Sequence, residues 1–309
     1  KQAVEAMRHG GVLESQALYA MGVRPVWNPQ GRVIDVELIP REQLGRPRID
    51  AVLSATGLYR DQFPNLMAHL AKAAALVADL DEPDNPSHAN SRTILADLLA
   101  QGVNREEAAS LAKTRLFGSP SGVYGTGLEG AAQASDTWEK DDKLAQLYLR
   151  HMSYAYGPDP SKWGQGEDGS PLYAANLRGV EGAILARTSN LYGMLTTDDP
   201  FQYLGGISLA VRHLTGKSPS LYISNQRQPG TARIESAARF LATELNTRAF
   251  HPGWVRSMQA EGYAGALDLQ NMVNNLWGWQ FVDPKMVTAA QWQRLHEVYV
   301  QDALGLDLR

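Results

Sequence analysis

The sequence predicts an α/β fold: a Rossmann-like layered α/β segment over residues 1–86, then a mainly helical region over 87–309 with at least one further βα unit. Three observations predict it. Short β-type runs alternate with helical stretches in the first eighty residues. Helical periodicity dominates afterwards. One apolar run, Leu221-Tyr222-Ile223-Ser224, interrupts the helical region and supplies the strand near 221–224.

Taken in order, Val4, Met7, Val12, Leu13 and Leu18 recur at roughly helical spacing, and the opening helix runs to Met21. Gly22 stops it, because glycine tolerates the positive φ of a helix end. β-type runs follow at 23–27, 33–39 and 49–54, the first two joined by the turn residues Asn28-Pro29-Gln30-Gly31. Ile49-Asp50-Ala51-Val52-Leu53 reads as a buried strand, and the loop after it leads into a helix over 62–78. This alternation suggests a doubly wound sheet, in which ligands gather at the carboxyl ends of strands. Residues 56–61 are therefore the first place to look for function.

The acidic, proline-bearing stretch 79–87 reads as a linker or elbow. Helices are predicted beyond it at 89–101, 104–116, 139–155, 172–187, 199–214, 232–247, 262–277 and 290–303, with glycine-rich loops at 118–130 and 157–171. The chain opens on Lys1 rather than Met, and helical patterns reach both ends, so it reads as a piece of a longer chain.

Composition narrows the functions. The 309 residues, a length typical of about two domains, contain no cysteine. That excludes disulfides, thiolate zinc or iron–sulfur ligation and a catalytic thiol, and it fits a reducing compartment; a cytoplasmic location is expected. With 29 Lys+Arg against 33 Asp+Glu the net charge is −4, which leaves no global footprint for nucleic acid. No apolar run approaches the ~18 residues of a membrane span, and no signal segment opens the chain.

The common enzyme motifs each fail on one position. Gly125-Thr126-Gly127-Leu128-Glu129-Gly130 matches G-x-G-x-x-G, but a dinucleotide site needs that turn directly after a strand, and Phe117 to Gly122 reads as loop. Gly216-Lys217-Ser218 resembles the end of a P-loop, yet Val211 stands where its first glycine belongs. His296-Glu297 lacks its second histidine, since position 300 is Val300. Asp79, Asp81 and Asp84 lack the glycine and closing glutamate of a calcium loop, and Pro120 occupies the nucleophile position of Gly118-Ser119-Pro120-Ser121-Gly122. Polar residues at loops and helix starts remain: Arg60 and Asp61 after a strand, and Asp198-Asp199-Pro200 opening a helix, where one Asp suffices as N-cap and the second is unexplained. Of the histidines, His9, His88 and His151 fall near loops or helix ends, while His69 and His213 fall within helices. Residues alone give an α/β protein with a loop-built site of unassigned chemistry.

The run Gly11-Val12-Leu13-Glu14-Ser15-Gln16-Ala17-Leu18-Tyr19-Ala20-Met21-Gly22-Val23-Arg24-Pro25-Val26 closely resembles the cobaltochelatase large-subunit family, which includes the porphyrin-binding subunit of magnesium chelatase. Gly31-Arg32-Val33, Leu44-Gly45-Arg46-Pro47-Arg48-Ile49-Asp50, Gly57-Leu58-Tyr59-Arg60-Asp61-Gln62-Phe63, the stretch from Arg115-Leu116-Phe117 to Gly130, Thr197 to Gly206, Gly253-Trp254 and Gly278-Trp279 extend the likeness across essentially the whole chain. The resemblance implies an internal fragment of the C-terminal half of that subunit, with a His-Gly-x-x-Glu-type motif lying upstream. It further implies ATP-driven insertion of Co²⁺, as substrate, into hydrogenobyrinic acid a,c-diamide in aerobic cobalamin biosynthesis. ATP with Mg²⁺ is used by separate ATPase-complex partner subunits and is not bound here, in keeping with the missing P-loop.

For such chemistry Arg60 and Asp61 are the expected substrate-binding pair, Tyr124 a wall of the macrocycle cavity, and Asp198 and Asp199 the acid/base groups or transient metal ligands. No resident metal site is assigned. Two other readings stand beside this one: a magnesium-chelatase-like or paralogous tetrapyrrole chelatase subunit, and a scaffold region that docks the ATPase subunits without chemistry of its own.

Overall fold

The computed structural model describes residues 2–139, 141–164, 171–228 and 230–308. Two compact units emerge, each assembled from separate stretches: Gln2–Gly125 with Leu149–Gly179, and Thr126–Tyr148 with Val180–Arg309.

The first unit begins with helices α1 (Gln2–Arg8) and α2 (Val12–Met21). Gly22 ends α2 at φ 76°, its N–H directed at the Leu18 and Tyr19 carbonyls. Strands β1 (Val23–Trp27) and β2 (Val33–Leu38) then form an antiparallel hairpin. Its turn is made by Asn28, whose Oδ1 accepts from the N–H groups of Gln30 (3.1 Å) and Arg32 (2.8 Å). The doubly wound expectation fails at this hairpin, because so short a link cannot cross over to a parallel neighbour.

Next come α3 (Arg41–Leu44), β3 (Leu53–Ala55), α4 (Gly57–Gln62), α5 (Pro64–Ala78), α6 (Pro86–Ala100), α7 (Arg105–Ala112) and β4 (Leu116–Gly118), which runs parallel to β3. The chain enters the second unit with α8 (Leu128–Gln133) and the start of α9 (Asp141–Met152). It returns along α9 to add β5 (Tyr154–Ala155), antiparallel to β4, and α10 (Pro171–Leu177). The 86/87 boundary expected from sequence therefore does not separate the units: α6 packs on α5 and β4 completes the sheet begun by β3.

Helix α5 is the centre of this unit. Its Leu70, Ala73, Ala74 and Val77 pack with Leu18, Met21, Val23 and Val36, while Met67 and Ala71 pack with Ala55, Leu116 and Tyr156. Two buried arginines bind the loops around it. Arg48 donates to the carbonyls of Gly22 (2.7 Å) and Ile39 (2.8 Å) and pairs with Glu82. Arg115 donates to Asp50 (2.8 Å), Ser91 Oγ (2.8 Å) and the carbonyls of Ala112 and Ser87. The acidic elbow is laced with ion pairs: Asp79 with Lys113, Glu82 with Arg48, Asp84 with Arg41.

In the second unit, β6 (Gly182–Arg187) leads through a π-helical turn (Phe201–Gly205) and α11 (Gly206–Thr215) to β7 (Ser220–Asn225), a parallel crossover. Gly216, in the incomplete P-loop motif, is the C-cap of α11 at φ 75°. β8 (Arg233–Ser236) pairs antiparallel with β7, and α12 (Ala237–Thr247), α13 (Pro252–Ala260), α14 (Tyr263–Val282) and α15 (Ala289–Tyr299) follow.

The α/β class holds, as small mixed sheets among many helices. Four helical expectations are wrong at one end: the ends of 104–116 and 139–155 and the second half of 172–187 form β4, β5 and β6, and the start of 232–247 forms β8. Part of the expected loop at 157–171 lies outside the described residues. Among those described, no helix is long and apolar enough to cross a membrane.

Candidate functional site

Helix α4 is positioned by its own cap: Thr56 Oγ1 accepts from the Tyr59 N–H at 3.1 Å. Its next residue, Arg60, turns inward and is only 7% exposed. The guanidinium reaches the loop that leaves β4, donating from Nη1 to the carbonyls of Ser119 (2.8 Å) and Pro120 (2.6 Å). Nε and Nη2 clamp the Asp61 carboxylate at 2.7 and 3.1 Å, the two-point geometry that arginine's planar fork favours. Tyr156 donates its hydroxyl to the same Ser119 carbonyl, and Ser119 Oγ donates to the Val123 carbonyl at 2.8 Å.

This clamped loop delivers Tyr124. Its hydroxyl donates to Asp61 Oδ2 at 2.6 Å, the Arg60 guanidinium lies 5.8 Å from its ring centroid, and the side chain is 57% exposed. Gly57 makes the approach possible, since a Cβ there would stand 2.7 Å from both the Tyr124 ring and the Val123 carbonyl oxygen. Hydrogen bonds from Arg60 and then Tyr124 hold the Asp61 carboxyl below its usual range. The Tyr124 hydroxyl is raised, first by its hydrogen bond to Asp61 and then by that group's charge.

Arg60, Asp61 and Tyr124 are thus brought together as expected, with a division of labour the sequence did not disclose. All but one Nη2 N–H of Arg60 is engaged with protein, so Arg60 sets the loop while the Tyr124 ring is what the loop presents.

Asp198 and Asp199 lie in the other unit, half-buried at the entry to the π-helical turn. The N-cap reading does not describe Asp198. Among the described residues no backbone N–H donates to its carboxylate: Asp198 Oδ2 instead accepts from the side-chain amide of Gln202, and Oδ1 has no protein hydrogen bond. Gln202 is 3% exposed and accepts at Oε1 from both the N–H and the hydroxyl of Thr126, each at 3.1 Å. The segment before Asp198 is held by Glu244, a buried carboxylate accepting from the N–H groups of Met194 (2.6 Å) and Leu195 (3.3 Å). Asn275 and Trp279 donate to the carbonyls of Leu195 and Met194.

The sequence reading missed Gln202 and Glu244. For Glu244 a signal existed: an acid on the apolar face of α12, in step with Phe240, Leu241 and Leu245. It also missed that Glu14 is buried and accepts from the Tyr59 hydroxyl at 2.7 Å, which fastens the other side of α4. Burial, then the Glu14 charge, pushes that hydroxyl upward.

The Gly125–Gly130 motif does follow a strand, β4, contrary to its reading as following only loop. Residues 119–124 nevertheless separate the two, so the tight strand-to-helix turn of a dinucleotide site is absent. Among the described residues no three His, Asp or Glu side chains are grouped to hold a metal ion.

Comparison with known proteins gives the chain's family. Residues 2–306 match the family model described as CobN/Magnesium Chelatase. The aerobic cobaltochelatase subunit CobN of Pseudomonas aeruginosa is 34% identical over 303 residues, covering 96% of this chain and 24% of that protein. A magnesium-chelatase subunit of Cereibacter sphaeroides is 30% identical over 288 residues, covering 93% and 23%. A solved structure, the catalytic subunit of cobaltochelatase from Mycobacterium tuberculosis, superposes with a TM-score of 0.84 at 33% identity, over 94% of this chain and 24% of that one. The chain spans about a quarter of the length of these relatives. With the family model running from residue 2 to residue 306, the chain belongs to the CobN/magnesium chelatase family.

Proposed function

We propose that this chain is part of the tetrapyrrole-binding large subunit of an ATP-dependent metal chelatase, working with ATPase partner subunits to insert Co²⁺ into hydrogenobyrinic acid a,c-diamide. The observation that supports the reading is the match, over 96% of this chain and 24% of the relative, to a cobaltochelatase subunit at 34% identity. The exposed face of Tyr124 supplies an aromatic wall for a planar macrocycle, and Asp61 beside it accepts hydrogen bonds from the macrocycle's polar groups. Asp198, with one oxygen fixed and the other open, is suited to take an inner-nitrogen proton or to escort the incoming hydrated ion, and Asp199 adjoins it. ATP with Mg²⁺ acts on the partner subunits. A cytoplasmic location goes with this reading.

One observation favours a second reading, the scaffold role: Arg60 is committed to holding a backbone loop rather than free to anchor a substrate. Asp→Asn changes at positions 198 and 199, in the full-length subunit assayed with its ATPase partners, decide between them. The chelatase reading expects at least one variant to lose about 10²–10⁴-fold in insertion rate with its melting temperature nearly unchanged. Wild-type rates in both, with Tyr124→Ala leaving macrocycle affinity unaltered, would establish the scaffold. Supplying Mg²⁺ with a porphyrin in place of Co²⁺ with the corrin precursor tests the metal and macrocycle.

A further inference from the structure

We propose that Gln202 is a positioning residue for Asp198; the inference rests on Asp198 taking part in metal insertion. Its amide orientation is fixed by its partners. The Thr126 backbone N–H can only donate, so the atom facing it at 3.1 Å is Oε1, and the NH₂ group must face Asp198. Asp198 Oδ2 is therefore an acceptor held by a buried donor, and Oδ1 is the oxygen left to work.

The surroundings allow Gln202 little freedom. It sits in the π-helical turn, a geometry that occurs mostly as short insertions and frequently at functional sites. On one side of it Phe201 packs against Gly278, where a Cβ would come within 2.8 Å of its ring. On the other, Gly205 and Gly206 leave room only for Val282 and Tyr148, which a Cβ would meet at 2.5 and 2.3 Å. The backbone carrying the amide is locked by close packing, and the amide then transmits that fixed position to the carboxylate. The same amide ties Asp198 to Thr126, set between Gly125 (φ 78°) and Gly127 (φ 82°), so the glycine loop and the carboxylate share one anchor.

The test uses the full-length subunit with its ATPase partners, Co²⁺ and the corrin precursor. Gln202→Glu keeps the acceptor for Thr126 and removes the donor to Asp198. The expected result is a kcat about 10- to 100-fold lower, the size of a misplaced reacting group, with macrocycle KM within about twofold. The double variant Gln202→Glu/Asp198→Asn restores the hydrogen bond with its polarity reversed, and should recover the wild-type melting temperature without recovering insertion. Wild-type kcat in Gln202→Glu, while Asp198→Asn is inactive, overturns the positioning role and leaves the chelatase reading standing. Wild-type insertion by Asp198→Asn removes the premise and overturns the positioning role, while the chelatase reading then falls only if Asp199→Asn is also wild type. If Gln202→Glu does not fold, Gln202→Met is measured instead, and wild-type kcat there is equally fatal to the proposal.

Discussion

Arg48, Arg60 and Arg115 are the most instructive single residues. All three fall in the stretches that carry the family resemblance, and all three turn buried guanidinium groups onto backbone carbonyls of distant segments. Lysine, a point charge with three donors, cannot reproduce that fork. Asp61 gives a prediction at this scale. Because hydrogen bonds from Arg60 and Tyr124 lower its folded pKa, its contribution to stability is complete above its unfolded value of about 4 and is lost as pH falls through the lowered folded value. Urea midpoints measured from pH 8 down to pH 2 should therefore decline less steeply below about pH 4 in Asp61→Asn than in the wild type, with no difference in slope between pH 6 and 8. The pairing of Arg60 with Asp61 was visible in the sequence as two polar residues after a strand. What Arg60 holds was not, because the Ser119 and Pro120 carbonyls lie some sixty residues away and backbone acceptors leave no trace in residue identity.

Elements were legible where their partners are local. The two strands of the β1–β2 hairpin and the turn between them were legible from Asn28 to Gly31, while their antiparallel pairing runs against the doubly wound sheet expected from the alternation that follows. β4, β5, β6 and β8 were hidden: each is two to six residues long, abuts a helix, and exists through pairing. Runs that short carry too few residues for a period of two to stand out from one of 3.6. Glu244 makes the corresponding experiment. It belongs to α12, yet its carboxylate orders the segment before Asp198, fifty residues earlier in the chain. Glu244→Ala leaves two buried N–H groups without acceptors and should cost about 2–3 kcal/mol. Hydrogen exchange should show the Met194 and Leu195 amides losing protection while those of β7 keep it; unchanged exchange at both would mean the carboxylate is dispensable to that segment.

Across the whole molecule, the glycine motifs are parts of the scaffold: Gly216 ends α11, and Gly127 begins α8 at φ 82°. Isothermal titration of this chain with ATP and with NAD should accordingly give no micromolar binding, and a saturable isotherm for either would return those motifs to the list of sites. The path of the chain has its own consequence. It leaves the first unit at Gly125, returns at Leu149 and departs again after Gly179, the return falling inside the single helix α9. During synthesis, β4 must then emerge from the ribosome roughly forty residues ahead of its partner strand β5. At about 5–20 residues per second that interval is about 2–8 s. Throughout it β4 has an open edge awaiting β5, and the Ser119 carbonyl awaits Tyr156. An open strand edge is a template for pairing with another chain. The nascent polypeptide is most exposed to misassembly in this window, before β5 and Tyr156 are translated, and neither unit can close in simple N-to-C order.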